Sequence, residues 1–460
     1  MKRVYIETYG CQMNVADSAL MEHLLAGAGF VPTTSMAEAS LILVNTCAIR
    51  ERAEERVVNR LRVLGQLKRT RPDLVLGVTG CVPKHRGEAL LQELPEVDLF
   101  VGPDSYRRLA ELVEEAARRP TVDLRLDGGE DYAGCDPVNV EGAHAFVPVM
   151  RGCDRFCTFC VVPLVRGREK SLPLDEVLRQ VTGAVGRGAR AVTLLGQTIN
   201  SYHHGGRTFT DLLDAVSRID DLWRVRFTSP HPADFRTEHF RLMAERPVLM
   251  PHLHLPVQSG SDRVLAAMKR GYTRDEFLRL VENIRSHLPE IALTTDLIAG
   301  FPGETEAEFE ATLSLMRSVR FDSAFLFRYS ERAGTFAARR LPDAVPSAVK
   351  GERLERMIAL QELHSLERYR RHEGREVEVL VEGLSRRDAS HAYGKTPDFK
   401  TVILPAGPAV GTLARVRIAR ASSHSLLAEG VRAGEEEEIA ESCYEAPRSR
   451  PEDTATCASE

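Results

Sequence analysis

The chain has 460 residues, 43% of them hydrophobic and 28% charged, the balance of an ordinary globular protein of about three domains. No apolar run is long enough to span a bilayer, so no membrane partner is expected. The net charge of −5 does not mark the whole chain as a nucleic-acid binder, although the acidic run Glu435-Glu436-Glu437-Glu438 can mask basic patches elsewhere.

Met1-Lys2-Arg3 leads straight into strand-like Val4-Tyr5-Ile6, with no secretory pattern, and a cytoplasmic setting is expected. The nine cysteines argue against a disulfide framework and for metal ligation or free thiols. Residues 1–120 read as a Rossmann-like parallel α/β domain. Strands are expected over 4–9, 41–44 and 74–78, with a helix from Asp17, its N-cap, to Gly27. Each strand runs into a cysteine: Cys11, Cys47 and Cys81. In a parallel sheet the carboxyl ends of the strands share one edge, where ligands bind. The three thiols should therefore converge. Ligation is the reading favoured over three buried structural cysteines, which free Cys can also be.

Residues 121–144 read as a linker, with Asp127-Gly128-Gly129 and Asp136-Pro137 as turn signals and Cys135 as incidental. From 145 to 372 strands and helices alternate. Strands are expected over 146–150, 191–195, 225–228, 252–257, 292–298 and 323–327. Helices are expected over 174–185, 211–219, 233–245, 262–270, 274–287 and 304–318, with a closing helix over 347–371. Six β-α units predict an incomplete eight-fold barrel, a partial (β/α)6 TIM-type fold with its chemistry at the carboxyl ends of the strands.

The first of these strands ends in Arg151-Gly152-Cys153-Asp154-Arg155-Phe156-Cys157-Thr158-Phe159-Cys160. Cys153, Cys157 and Cys160 follow C-x3-C-x2-C. Three thiolates suit a soft metal site, either a zinc knuckle or an iron–sulfur cluster. Three ligands around a four-iron cube leave one iron open, as a catalytic centre needs. Later strands end in Gly196-Gln197-Thr198-Ile199-Asn200, Thr228-Ser229-Pro230-His231, Gln258-Ser259-Gly260 and 294–300, which holds Asp296 and Ile298. Their glycines and polar side chains are candidate cofactor contacts, together with Phe159 in the loop. His203, His204, His252 and His254 read as strand and loop residues rather than metal ligands.

Residues 373–434 read as a small β-barrel with strands over 376–381, 401–404 and 413–418 and turns at Gly383, Gly394 and Gly407. Arg386, Lys395 and Arg415 are candidate RNA contacts. They belong to a basic set with Arg387, Lys400, Arg417 and Arg420, interleaved with Tyr393 and Phe399 for base stacking. A plain solvated barrel is the competing reading. Residues 435–460, with Cys443 and Cys457, read as an acidic disordered tail.

The C-x3-C-x2-C loop resembles the cluster loop of radical S-adenosylmethionine enzymes. With Thr8-Tyr9-Gly10-Cys11-Gln12-Met13-Asn14, Arg166-Gly167-Arg168, Gln258-Ser259-Gly260-Ser261 and Gly300-Phe301-Pro302-Gly303-Glu304, nearly the whole chain resembles the methylthiotransferase family of those enzymes. The acidic tail departs from the family pattern. The resemblance implies S-adenosylmethionine and two [4Fe-4S] clusters, one on Cys153, Cys157 and Cys160, the other on Cys11, Cys47 and Cys81 and carrying the sulfur to be transferred. It implies that Phe159, Gly196, Gln197, Asn200, Thr228, Ser229, Gln258, Asp296 and Ile298 line the S-adenosylmethionine pocket, and that the last domain is an RNA-binding TRAM module. The substrate implied is a tRNA anticodon stem-loop whose adenosine 37 carries an N6-isopentenyl group and gains a methylthio group at carbon 2. A low-potential electron donor of the flavodoxin or ferredoxin type and a monomeric state are expected. Sibling activities on threonylcarbamoyladenosine or a ribosomal-protein aspartate, and a non-catalytic zinc-binding RNA chaperone, are the alternatives.

Overall fold

The computed structural model describes residues 2–48, 51–385, 390–405 and 407–431. Arg386, Arg387, Cys443, Cys457 and the tail 435–460 lie outside the described residues. The chain divides into two compact units, one ending at Asp127 and one beginning at Gly128.

The first unit is a six-stranded sheet in the order β2-β1-β3-β4-β5-β6. Its strands are β1 Lys2–Thr8, β2 Phe30–Pro32, β3 Leu41–Thr46, β4 Val75–Gly80, β5 Leu99–Val101 and β6 Thr121–Asp123, all paired in parallel. β3 and β4 are buried along their whole length, as parallel strands covered on both faces must be. Helices α1 Gln12–Gly27, α2 Glu51–Gly65 and α3 Cys81–Arg86 connect them.

Two expectations are corrected here. The helix expected from Asp17 begins at Gln12, with Cys11 as N-cap, and Asp17 is buried within it. A tertiary network sets that start. Asn14 Nδ2 donates to Asn45 Oδ1 (3.2 Å) and the Thr46 carbonyl (2.9 Å), and Asn45 Nδ2 donates to the Asn14 carbonyl (2.8 Å) and Ser18 Oγ (2.9 Å). The stretch read as linker begins inside the fold, since β6 is the edge strand of the sheet and the units divide after Asp127.

In the second unit β7 Val140–Glu141 forms a short hairpin with β8 His144–Pro148. β9 Met150–Arg151 pairs antiparallel with β10 Lys170–Ser171, so the cysteine loop between them is closed at its base. β11 Ala191–Leu195 pairs in parallel with β8 and with β14 Arg224–Phe227, and β12 His203–His204 with β13 Arg207–Thr208 makes a small exposed hairpin. β15 His252–His254, β16 Ala292–Ala299 and β17 Ser323–Arg328 form a second parallel set. The sets join where Val225 bridges Leu249, giving six parallel strands in chain order, an open (β/α)6 barrel.

The expected strand 252–257 is shorter than read. Pro256 has no N–H for the ladder, and its carbonyl is taken by Arg270. The helix expected from 233 starts at Thr237 after a short turn, Pro232–Asp234, which His231 caps through Nδ1. Helix Arg274–His287 stands as read. Thr273 and Glu276 form its capping box, as Thr305 and Glu308 do for Glu306–Val319.

Helix Ser347–Arg370 leads into a closed barrel in the order β18-β19-β20-β22-β21. Its strands are β18 Glu376–Leu384, β19 His391–Lys395, β20 Thr401–Pro405, β21 Leu413–Ala421 and β22 Leu426–Ala428. Gly383 and Gly394, read as turns, lie inside strands. Gly383 sits at a bulge under the Tyr393 ring, and Gly394 passes too close to the Leu380 carbonyl to admit a side chain. The barrels meet at buried charges: Lys400 Nζ reaches Asp322 Oδ1 and Asp398 Oδ2, both at 2.8 Å. Burial opposes ionisation of Asp398, but the His372 hydrogen bond and the Lys400 charge overcome it and hold this carboxyl well below the usual range.

Two stability experiments follow. Gly80 has φ +92°, and a Cβ there would strike the Thr46 carbonyl and lie 2.7 Å from Asn45 Oδ1; Gly87 has φ +54° but open space. Gly80→Ala is therefore expected to cost about 1–3 kcal/mol more than Gly87→Ala in urea unfolding of the first unit. Equal costs would mean that crowding at the strand end is relieved cheaply. Lys400→Met removes the cation shared by two buried carboxylates, leaving Asp398 to His372 and Asp322 to the more distant Arg368, and is expected to destabilise the second unit by about 3 kcal/mol. Exposed Arg415→Gln should stay within about 0.5 kcal/mol. Thermal melts of the two variants compare them.

Candidate cluster and cofactor sites

Cys11, Cys47 and Cys81 lie at the carboxyl ends of three neighbouring strands. Thr8 is in register with Asn45, and Thr46 with Gly80. Gly10 approaches Cys47 so closely that a Cβ on it would lie 2.6 Å from Cys47 Cβ. A side chain at Gly10 would thus fill the space between the first two cysteines. Cys11 is exposed, while Cys47 and Cys81 are buried. Behind them Glu7 is buried, accepts from the Tyr9 hydroxyl and takes Arg60 in a forked pair at 2.9 and 3.0 Å. His85, one turn after Cys81, meets Glu54 at 3.0 Å.

The barrel loop has little regular structure, so its geometry comes from bonds to strand ends. Gly152 takes φ +77°, where a Cβ would strike the Arg168 carbonyl. Its N–H donates to Gln197 Oε1 at 2.7 Å. Cys153 Sγ lies 3.0 Å from Thr198 Oγ1 and accepts from the Arg155 N–H at 3.4 Å. Thr158 is tied on three sides: its N–H to the Met268 carbonyl, its hydroxyl to the Ala267 carbonyl, and its own carbonyl to the Ala337 N–H. Arg270 Nη1 donates to Cys157 Sγ at 3.3 Å. Arg155 pairs with Asp234 beyond the third barrel strand.

Burial raises the Cys153 thiol and pushes the Cys160 thiol up to about 12, with the neighbouring Cys157 adding to both. Ligation of a metal by such thiols would displace their protons. Among the described residues no three His, Cys, Asp or Glu side chains are gathered as ligands of a single metal ion. Two sets of three soft donors, each at a strand-end edge, fit a multi-metal cluster better than one tetrahedral zinc.

The expected cofactor contacts divide into two groups. Phe159 and Ile298 flank one apolar cluster with Met268, Phe301 and Tyr329. Gln258 takes φ +75° between Asp296 and Ile298, donating its N–H to the Asp296 carbonyl at 2.9 Å and accepting from Ile298 N–H at 3.0 Å. Asp296 lies 3.3 Å from His254. Ser229 is also left-handed, with φ +58°, and Thr228 beside it is buried. The others make contacts within the scaffold. Gly196 makes room for Met150, 2.6 Å from where its Cβ would be, and Gln197 holds the cysteine loop. Asn200 spends both ends of its amide on the His231 backbone, at 2.9 and 2.8 Å.

Of the expected RNA contacts, Arg415 is exposed on β21, opposite Glu378, and Arg386 lies outside the described residues. Lys395 is corrected. It is 9% exposed, donates to Thr401 Oγ1 at 2.6 Å and lies over the Phe399 ring, which also stacks on Arg226. It therefore packs the junction between the barrels. His252 and His254 sit in strand β15, and burial lowers the His252 pKa well below its usual value. Sequence reasoning missed Arg270 and Thr158. Neither residue type nor spacing marks them, because their partners lie more than a hundred residues away.

Family models match three stretches: "Uncharacterized protein family UPF0004" at 3–102, the Radical SAM superfamily at 147–316 and the TRAM domain at 370–431. The radical S-adenosylmethionine methyltransferase TsrM from Kitasatospora setae, solved with cobalamin and a [4Fe-4S] cluster, shares the fold. Its TM-score is 0.53 at 16% identity, over 71% of this chain and 75% of that one. No helix among the described residues is long and apolar enough to cross a membrane. A tRNA-2-methylthio-N(6)-dimethylallyladenosine synthase of Porphyromonas gingivalis is 46% identical over 94% of this chain and 95% of its own length. The protein of the same name from Chlorobaculum tepidum is 48% identical over 93% of this chain and 97% of its own length. With both cysteine trios at strand ends and a closed β-barrel after the radical core, the chain belongs to the tRNA-2-methylthio-N(6)-dimethylallyladenosine synthase family of radical S-adenosylmethionine enzymes.

Proposed function

We propose that this protein methylthiolates carbon 2 of N6-isopentenyladenosine at position 37 of tRNA. The observation that carries this reading is the near full-length likeness to synthases of that name. The aspartate, threonylcarbamoyladenosine and zinc-chaperone readings find no support in these likenesses. Radical S-adenosylmethionine chemistry brings one [4Fe-4S] cluster and S-adenosylmethionine. We assign that cluster to Cys153, Cys157 and Cys160, and a second cluster to Cys11, Cys47 and Cys81.

When bound, the barrel cluster supplies the electron that cleaves S-adenosylmethionine, and the amino-terminal cluster supplies the sulfur. The chain's own residues do the rest. Gln197, Thr158 and Arg270 hold the cysteine loop in one conformation. Phe159 and Ile298 offer an apolar wall for an adenine ring, and Gln258, Asp296 and Ser229 offer polar groups beside it. The exposed arginines of β21, Arg415 and Arg417, face solvent where an RNA phosphate can reach them. The anticodon stem-loop is the part of tRNA that must enter. In this reading a flavodoxin- or ferredoxin-type donor supplies the electron, the protein acts as a monomer, and the tRNA substrate and the thiol ligands favour a cytoplasmic setting.

The two clusters are separable by mutation. Anaerobic reconstitution should give about eight irons per chain, and the Cys11, Cys47 and Cys81 to Ala triple variant about half. Cys157→Ala should abolish both 5′-deoxyadenosine and methylthiolated nucleoside. Cys47→Ala should keep dithionite-driven 5′-deoxyadenosine but lose the methylthio product. Chromatography of both products from one reaction reads this out. Wild-type methylthiolation by Cys47→Ala would make the amino-terminal trio structural.

RNA binding has its own signature. Arg415→Gln and Arg417→Gln should each weaken tRNA binding and lower the slope of log affinity against log salt by about 0.7. Lys395→Gln, a junction change, should lower thermal stability and leave that slope unchanged. An unchanged slope in both arginine variants would remove β21 from the RNA footprint.

A further inference from the structure

We propose that Arg270 sets the reduction potential of the cluster held by the barrel loop. The inference rests on the assignment of that cluster to Cys153, Cys157 and Cys160. Arg270 follows helix Asp262–Ala267, where Lys269 turns the chain at φ +60° and the Arg270 N–H donates to the Leu265 carbonyl at 3.0 Å. This turn sends its guanidinium inward, and the residue is 6% exposed. Three partners fix the fork: Nη2 donates to the Pro256 carbonyl at 2.5 Å, Nε to the Tyr272 hydroxyl at 3.1 Å, and Nη1 to Cys157 Sγ at 3.3 Å. Tyr272 is itself held by the Val257 carbonyl at 3.0 Å.

None of these partners is a carboxylate. A buried cation is costly unless an anion pairs with it. Half-buried Arg155, from the same loop, pairs with Asp234. The buried arginines Arg353 and Arg224 likewise reach Glu304 and Glu378. Arg270 instead aims its charge at a cysteine sulfur. The anion that balances it is the thiolate-ligated cluster. Nearby His231, 5% exposed, is held neutral by burial and by the charges of Arg270 and Arg155, and so adds no second positive charge beside Arg270.

A positive charge hydrogen-bonded to a ligand sulfur stabilises the more negative, reduced cluster. Net charge and hydrogen bonds to sulfur are among the terms that set cluster potentials. The step is a one-electron transfer from the external donor to the oxidised cluster, with no bond made or broken. Arg270 is thus a positioning residue. It holds Cys157 in place and brings the cluster within reach of a biological reductant.

The test is a mediated redox titration, read by electron paramagnetic resonance, on full-length protein carrying Cys11→Ala, Cys47→Ala and Cys81→Ala, so that one cluster titrates. Relative to that background, Arg270→Met should lower the ratio of reduced to oxidised cluster at a given potential about tenfold, a shift of about 59 mV to the negative. Arg270→Lys, which keeps the charge, should recover most of the shift. An Arg270→Met ratio within twofold of the background, at equal iron content, overturns the proposal. Should Arg270→Met fail to hold iron, Tyr272→Phe decides. It removes only the hydroxyl that orients Nε, and a smaller negative shift is expected; an unshifted potential overturns the proposal. Cys157→Ala in the same background separates the two ideas. A full cluster there would sink the ligand assignment itself, whereas its loss alongside an unshifted Arg270→Met would sink only the role of Arg270.

Discussion

The barrel's cysteine loop has almost no hydrogen-bonded ladder of its own, and its three thiols are useful only if they stay in one arrangement. The loop is held by contacts from distant chain: Gln197 on Gly152, Thr198 on Cys153, Ala267, Met268 and Ala337 on Thr158, and Arg270 on Cys157. Gln197 and Thr198 follow a barrel strand, Ala267, Met268 and Arg270 lie at or just beyond the end of helix Asp262–Ala267, and Ala337 lies in the first turn of helix Phe336–Arg340. The parallel barrel thus functions as a frame that brings loop-holding groups to one end. A site assembled this way can be lost through residues that touch no cofactor. Asn200, whose amide holds the His231 backbone, ties two of these strand ends to each other.

The first unit solves the same problem with less chain. Three adjacent parallel strands each deliver one cysteine to a common edge, and the crowded glycines Gly10 and Gly80 allow the strand ends to lie so close. In the second unit, the small β-barrel is joined to the radical core by buried charge and cation–π contacts: Lys400 with Asp322 and Asp398, and Arg226 with Phe399. Part of the module's positive charge is therefore structural. On the outward face of β21, Arg415 and Arg417 alternate with more buried residues and stay exposed.

Much of this was legible in the residues. The alternation of strand and helix stretches placed the strand Ala191–Leu195 and the helix Arg274–His287, both of which stand as read. The cysteines Cys11, Cys47 and Cys81 stand at one sheet edge as expected, because parallel topology fixes which edge the strand ends share. The misreadings share one cause, which is that tertiary partners overrode a local signal. Asn14 and Asn45 pulled the first helix back to Gln12. Gly394 looked like a turn but is a close strand crossing. Lys395 looked like a surface cation because its burial comes from another domain. Arg270 carried no signal at all, since an arginine after a short helix is ordinary until Cys157 is found beside it.

The central claim concerns what the chain does to tRNA, and nucleoside analysis by liquid chromatography and mass spectrometry tests it most directly. Total tRNA is compared from a cell lacking this protein, before and after the intact gene is restored. The account requires N6-isopentenyladenosine to accumulate in the deficient cell and its 2-methylthio derivative to return on complementation. An unchanged 2-methylthio-N6-isopentenyladenosine level in the deficient cell, or restoration of a methylthio group on a different nucleoside, would contradict it.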